Sequence, residues 1–138
     1  MLLVASLFSL FMLGNSGIVD CGKAPLFTIT SQSFSPDSPT TGDNTTWEIS
    51  FAVPDSVDVT NITSINSGIV NGFLPIDTTY TNMCNEVGCP TKPGDYSITN
   101  WQIWPDGLVG TKLALTTQWV DQNDNELLCS KVSIVGQT

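Results

Sequence analysis

The sequence predicts an all-β fold, an immunoglobulin-like two-sheet antiparallel β-sandwich. Three observations carry that expectation. Residues 46–53 alternate, Trp47, Ile49, Phe51 and Val53 on one face against Thr46, Glu48 and Ser50 on a mostly polar other, which is the period of a half-buried strand. Six further short runs rich in apolar and β-branched residues recur at near-regular spacing, with turn clusters between them. No stretch carries the period of an amphipathic helix. About seven strands in one domain-sized chain suit a sandwich.

In chain order, residues 1–13 are uncharged and almost wholly apolar, and Gly14-Asn15-Ser16-Gly17 follow, the pattern of a signal peptide and its cleavage region. We expect a cut after Ser16, so that residues 1–16 are a signal peptide and 17–138 one domain. A membrane anchor needs about 20 apolar residues, and Asn15, Ser16 and Asp20 interrupt the run. The expected strands are 26–29, 46–53, 57–65, 73–83, 96–104, 113–120 and 127–135. Turns are expected at Ser35-Pro36-Asp37-Ser38-Pro39, Lys92-Pro93-Gly94-Asp95, Pro105-Asp106-Gly107 and Asp121-Gln122-Asn123-Asp124-Asn125.

Charge narrows the function classes. The 138 residues hold 13 Asp and Glu against four Lys and no Arg, a formal charge of −9. Nucleic acid is excluded as a partner, because phosphate binding needs clustered cations, and anionic headgroups repel the chain at neutral pH. There is no histidine, which removes Ser-His and Cys-His nucleophile pairs and histidine-rich zinc sites. The acids are scattered singly, as on a solvated surface. No catalytic site, cofactor or metal is expected, and the chain is not read as an enzyme.

Four cysteines behind a signal peptide argue for two disulfides. Cys84 and Cys89 close a short loop, which leaves Cys21 for Cys129. In the chain-entropy model the long loop is worth about 4.7 kcal/mol and the short one about 2 kcal/mol. Asn44-Thr45-Thr46 and Asn61-Ile62-Thr63 are glycosylation sequons. Asp121-x-Asn123-x-Asn125 opens like a calcium loop, but Glu126 replaces its glycine and Val132 its last ligand, so a hairpin turn is the better reading.

The ordered set Asp20-Cys21-Gly22, Ser35-Pro36, Cys84-x4-Cys89-Pro90, Gly94, Tyr96-Ser97, Lys112-Leu113 and Leu127-Leu128-Cys129 resembles the ML (lipid-recognition) domain family, which includes a soluble sterol carrier and phospholipid transfer proteins. The resemblance implies a sandwich whose sheets splay to hold a sterol or phospholipid in an inter-sheet lipid cavity. It points to Ile103, Trp104 and Leu108 as lipid contacts on one lip. Strand parity adds Phe51, Val53, Ile76, Tyr80, Leu115 and Trp119. A monomer is implied, secreted or in the endosomal/lysosomal (vacuolar) lumen, meeting a transient membrane surface or a membrane-protein acceptor. The alternative role in the family is a lipid-sensing co-receptor. Two pocket tryptophans of the sterol carrier correspond to Thr117 and Ser130 here, and its extra disulfide in the first long turn is absent.

Overall fold

A computed structural model describes residues 17–107 and 110–135. The expected signal peptide and Leu108 lie outside the described residues. Among the described residues there are eight strands: β1 Gly17–Asp20, β2 Thr28–Ser35, β3 Asn44–Val53, β4 Thr63–Val70, β5 Leu74–Asn82, β6 Gly94–Ile103, β7 Lys112–Val120 and β8 Glu126–Val135. One helical turn, α1 Cys84–Val87, lies between β5 and β6. Two antiparallel sheets face each other, ordered β1-β8-β7-β4-β5 and β2-β3-β6. The predicted sandwich is the observed one.

The alternation read in β3 sets which face is inside. Thr45, Ile49, Phe51 and Val53 are buried and Trp47 is half-buried, while Glu48 is exposed. Opposite them, β7 turns Leu113, Leu115, Thr117 and Trp119 inward, in register with Val70, Gly68, Asn66 and Ser64 of β4. The sheets approach each other most closely where β2 lies over β1 and β8. One end of the sandwich is solid. There Phe27 and Tyr96 stack on either side of Phe51, each with ring centroids 5.4 Å away, and Trp119 meets Phe51 edge-on at 5.3 Å. Such ring pairs stabilise by about 0.5–1.5 kcal/mol beyond their buried area.

Both disulfides pair as expected, Cys21 with Cys129 and Cys84 with Cys89. Around the long crosslink the N-terminal segment is held to β8. The amides of Leu26 and Phe27 donate to the carbonyls of Glu126 and Leu127. The Glu126 carboxylate accepts from the backbone N–H of Lys23 at 2.8 Å and from Gln118 Nε2 at 2.7 Å. Burial alone would raise the Glu126 carboxyl. The Gln118 bond, the backbone N–H groups of Lys23 and Ala24 and the Lys23 charge together outweigh it and hold the group below its ordinary value.

Three boundaries depart from expectation. The expected strand 57–65 begins only at Thr63. Residues before it cross the solid end, burying Val59 and Ile62, and are held by a bridge from Val59 to Thr91, by the Met83 N–H on the Ile62 carbonyl and by the Gln122 side chain, which accepts from the Thr60 N–H and donates to the Asp58 carbonyl. The expected strand 26–29 is displaced: the chain leaves β8 at Phe27, and β2 then runs on through the polar stretch to Ser35. Strand β1 was not anticipated; pairing with β8 forms it, since four residues carry too short a pattern to read. In the Asp/Asn turn, Asp121 Oδ1 accepts from the backbone N–H groups of Asn123 and Asn125, both at 2.9 Å, so its carboxylate organises the hairpin.

Candidate functional site

Away from the aromatic stack the two sheets do not fill the space between them. A cavity of about 170 Å³ lies among Phe34, Thr45, Trp47 and Gln102 of the three-stranded sheet and Leu115, Thr117 and Val132 of the five-stranded sheet. A second, of about 190 Å³, lies among Ser64, Asn66, Thr81, Met83, Glu86 and Trp119. Trp47, Asn100 and Thr117 line both, so these residues are the partition between them. A third, of about 210 Å³, sits beside β1 and β2 and shares Phe34 and Val132 with the first. Each exceeds the roughly 150 Å³ of apolar space that holds a benzene-sized guest.

Strand geometry explains the lining. Residues 96, 98, 100, 102 and 104 of β6 and its extension share the inner face, because they pair with the inward residues of β3: Tyr96 with Phe51, Ile98 with Ile49, Asn100 with Trp47 and Gln102 with Thr45. Gly68 matters on the opposite sheet. A Cβ there would lie 2.9 Å from both Ile76 Cδ1 and Leu115 Cδ2, so the missing side chain is what lets those two converge over the strand. Polar groups line the second cavity. The hydroxyls of Ser64 and Thr117 both donate to Asn66 Oδ1, at 3.0 and 3.3 Å. Thr45 satisfies itself on the Gln102 carbonyl at 2.7 Å, and Ser130 reaches across to Gln32 Oε1 at 2.7 Å. Among the described residues no lysine lines any of the three cavities, and Glu86 borders the second.

The structure brings two of the residues singled out in sequence onto the cavity walls, Leu115 and Trp119. Ile76 leans over Gly68 beside Leu115 and is 41% exposed. Phe51 and Val53 belong to the solid core. Trp104 is buried against Leu113, Val132 and Ile134, closing the far end, and its backbone is fixed to Asp43 and Gly42. Ile103 is 52% exposed and pairs with Asn44, on the outer face, and Tyr80 is 69% exposed opposite Ile65. Phe34, Trp47, Asn100 and Val132 were not singled out. Trp47 carried a signal, since it lies on the apolar parity of β3, and Thr117 was marked as a difference from the sterol carrier. Of the two sequon asparagines, Asn44 is exposed, whereas Asn61 is half-buried beside Asn82 and Thr63.

Known structures share this architecture. A Niemann-Pick type C2 protein from Japanese carpenter ant superposes with a TM-score of 0.69 at 17% identity, covering 88% of this chain and 99% of that one. Chicken MD-1, in a structure complexed with lipid IVa, gives a TM-score of 0.54 at 9% identity, covering 85% of this chain and 95% of that one. At such identities these likenesses speak for the fold. No curated protein matches the chain by sequence. The sequence pattern of the ML domain, by contrast, matches residues 15–135. A match over nearly the whole chain, with both expected disulfides formed and a gap between the sheets, places this protein in the ML-domain family.

Proposed function

We propose that this protein binds a sterol or phospholipid between its two sheets and carries it through water from one membrane to another, in a secreted or lumenal setting. The observation that carries the reading is the chain of cavities flanked by Phe34, Trp47, Leu115 and Val132, in a domain of the ML family. A lipid does not cross water readily: each methylene is worth about 0.8 kcal/mol, so a sixteen-carbon chain faces roughly 12 kcal/mol. An apolar cavity removes most of that barrier.

Exposed apolar residues next to the cavity support the transfer half of the reading. Ile69, Phe73, Leu74 and Ile76 cluster on the β4–β5 hairpin, and Phe73 at its tip is 78% exposed. Asn71 and Gly72 hold that tip at positive φ, 52° and 80°, and the Lys112 backbone N–H donates to Asn71 Oδ1 at 2.9 Å. A rigid, apolar tip is suited to touching a bilayer during loading. Native mass spectrometry of protein from a secreting host should find a bound lipid, and the protein should move a fluorescent sterol or phospholipid between vesicles. Phe73→Asp should slow transfer several-fold and leave equilibrium binding unchanged. Protein that carries no lipid and binds neither probe would refute the reading.

A further inference from the structure

We propose that the ligand is an uncharged lipid whose polar end is a hydroxyl or amide, and that the site rejects the same lipid bearing a phosphate. This rests on the lipid-carrier reading and narrows it. The walls of the two adjacent cavities differ in chemistry. Phe34, Leu115 and Val132 face the first beside Thr45 and Gln102, whereas Ser64, Asn66, Thr81 and Glu86 face the second beside Met83 and Trp119, so the second is the more polar. A molecule lying across the Trp47 partition therefore has an oily half and a hydrogen-bonding half.

The hydrogen-bonding half is built for a group that both donates and accepts. Ser64 and Thr117 spend their protons on Asn66 Oδ1, which leaves their oxygens as acceptors and the Asn66 amide N–H groups as donors. The Asn100 side chain, on the same walls, makes no hydrogen bond with any described residue. A hydroxyl or amide headgroup matches this mixed set.

A phosphate does not. Its ionised oxygens only accept, and leaving water costs the charge heavily unless a cation replaces the lost hydration. The chain has no arginine, and none of its four lysines, at 23, 92, 112 and 131, lines these walls. The charged side chain that does is Glu86, whose carboxylate repels an anion. Absence of a cation and presence of an acid act in the same direction.

A matched pair of probes tests this directly: 1-oleoylglycerol and 1-oleoyl-lysophosphatidic acid share chain and glycerol and differ by the phosphate. Binding of each below its micelle concentration is read by native mass spectrometry and by quenching of tryptophan fluorescence with brominated chains. The neutral lipid should bind at least about tenfold more tightly, a difference of about 1.4 kcal/mol. Glu86→Lys should tighten the phosphate lipid several-fold and leave the neutral one within about twofold, as expected for a purely electrostatic change at the wall. Asn100→Leu should weaken the neutral lipid several-fold. Equal or tighter binding of the phosphate lipid by the unaltered protein overturns this inference and leaves the carrier reading standing. Failure of both probes and of a sterol overturns the carrier reading, and the inference with it.

Discussion

The two halves of the interior are built on the same ribbon of strands and end up differently. Along β3 and β6 the solid half pairs Phe51 with Tyr96 and Ile49 with Ile98; one step further, Trp47 meets Asn100 and Thr45 meets Gln102. On β7 the change runs in parallel, from Trp119 to Thr117 and Leu115. In the solid half the inward side chains of β3 and β6 meet apolar neighbours, and the crossing chain adds Val59 and Ile62, with Met83 and Val87 at α1. In the other half large side chains face amides and hydroxyls, which do not interlock with them. Whether a sandwich closes is thus decided by the facing partner as much as by the apolar content of any one strand.

The sharpest way to break this contrast is to make a hole in the solid half. Phe51→Ala should cost about 3–5 kcal/mol, because the Phe27 and Tyr96 rings cannot collapse into the gap. Denaturant unfolding measures it, and lipid binding by the folded fraction should be unchanged. Trp47→Ala should cost less, about 1–2 kcal/mol, since one side of that ring already borders empty space. It should also merge the first two cavities, so that sterol binding rises relative to a single-chain lipid in a direct competition. A loss as large as that of Phe51→Ala would erase the distinction between the halves.

The smallest effect belongs to Glu126, which straps residues 23 and 24 onto the solid half. Its folded carboxyl titrates below the ordinary value, so it stabilises the fold above the unfolded pKa, about 4.3, and that stabilisation is lost as pH falls through the folded value. Glu126→Gln should therefore lower stability at neutral pH by at most about 1 kcal/mol. Thermal unfolding followed from pH 7 downward should show the two proteins converging below about pH 4.

Much of the solid half was legible in the sequence, because it obeys simple periodicity: the β3 alternation put Phe51 and Val53 on the apolar face, though the same parity made them candidate lipid contacts, and Cys21 was left for Cys129. The hollow half was harder to read for a physical reason. A wall of Asn66, Asn100, Gln102 and Thr117 looks in sequence like any solvated strand face, and only the register shows that these residues point inward. Ile103 illustrates the converse. The family resemblance pointed to it together with Trp104, yet parity turns the two to opposite faces. Strand β2 escaped because Gln32 and its serine neighbours carry little hydrophobic signal.

The crosslink between Cys21 and Cys129 joins residues 108 apart, and among the described strands β1 pairs with β8 alone. A ribosome releasing this chain from its N-terminus exposes the opening residues long before their partners exist. The five-stranded sheet is therefore closed only after β8 has been made. A product truncated before residue 126 would leave Cys21 as an unpaired thiol and the amides of Leu26 and Phe27 without their acceptors, marking an unfinished copy chemically as well as by shape.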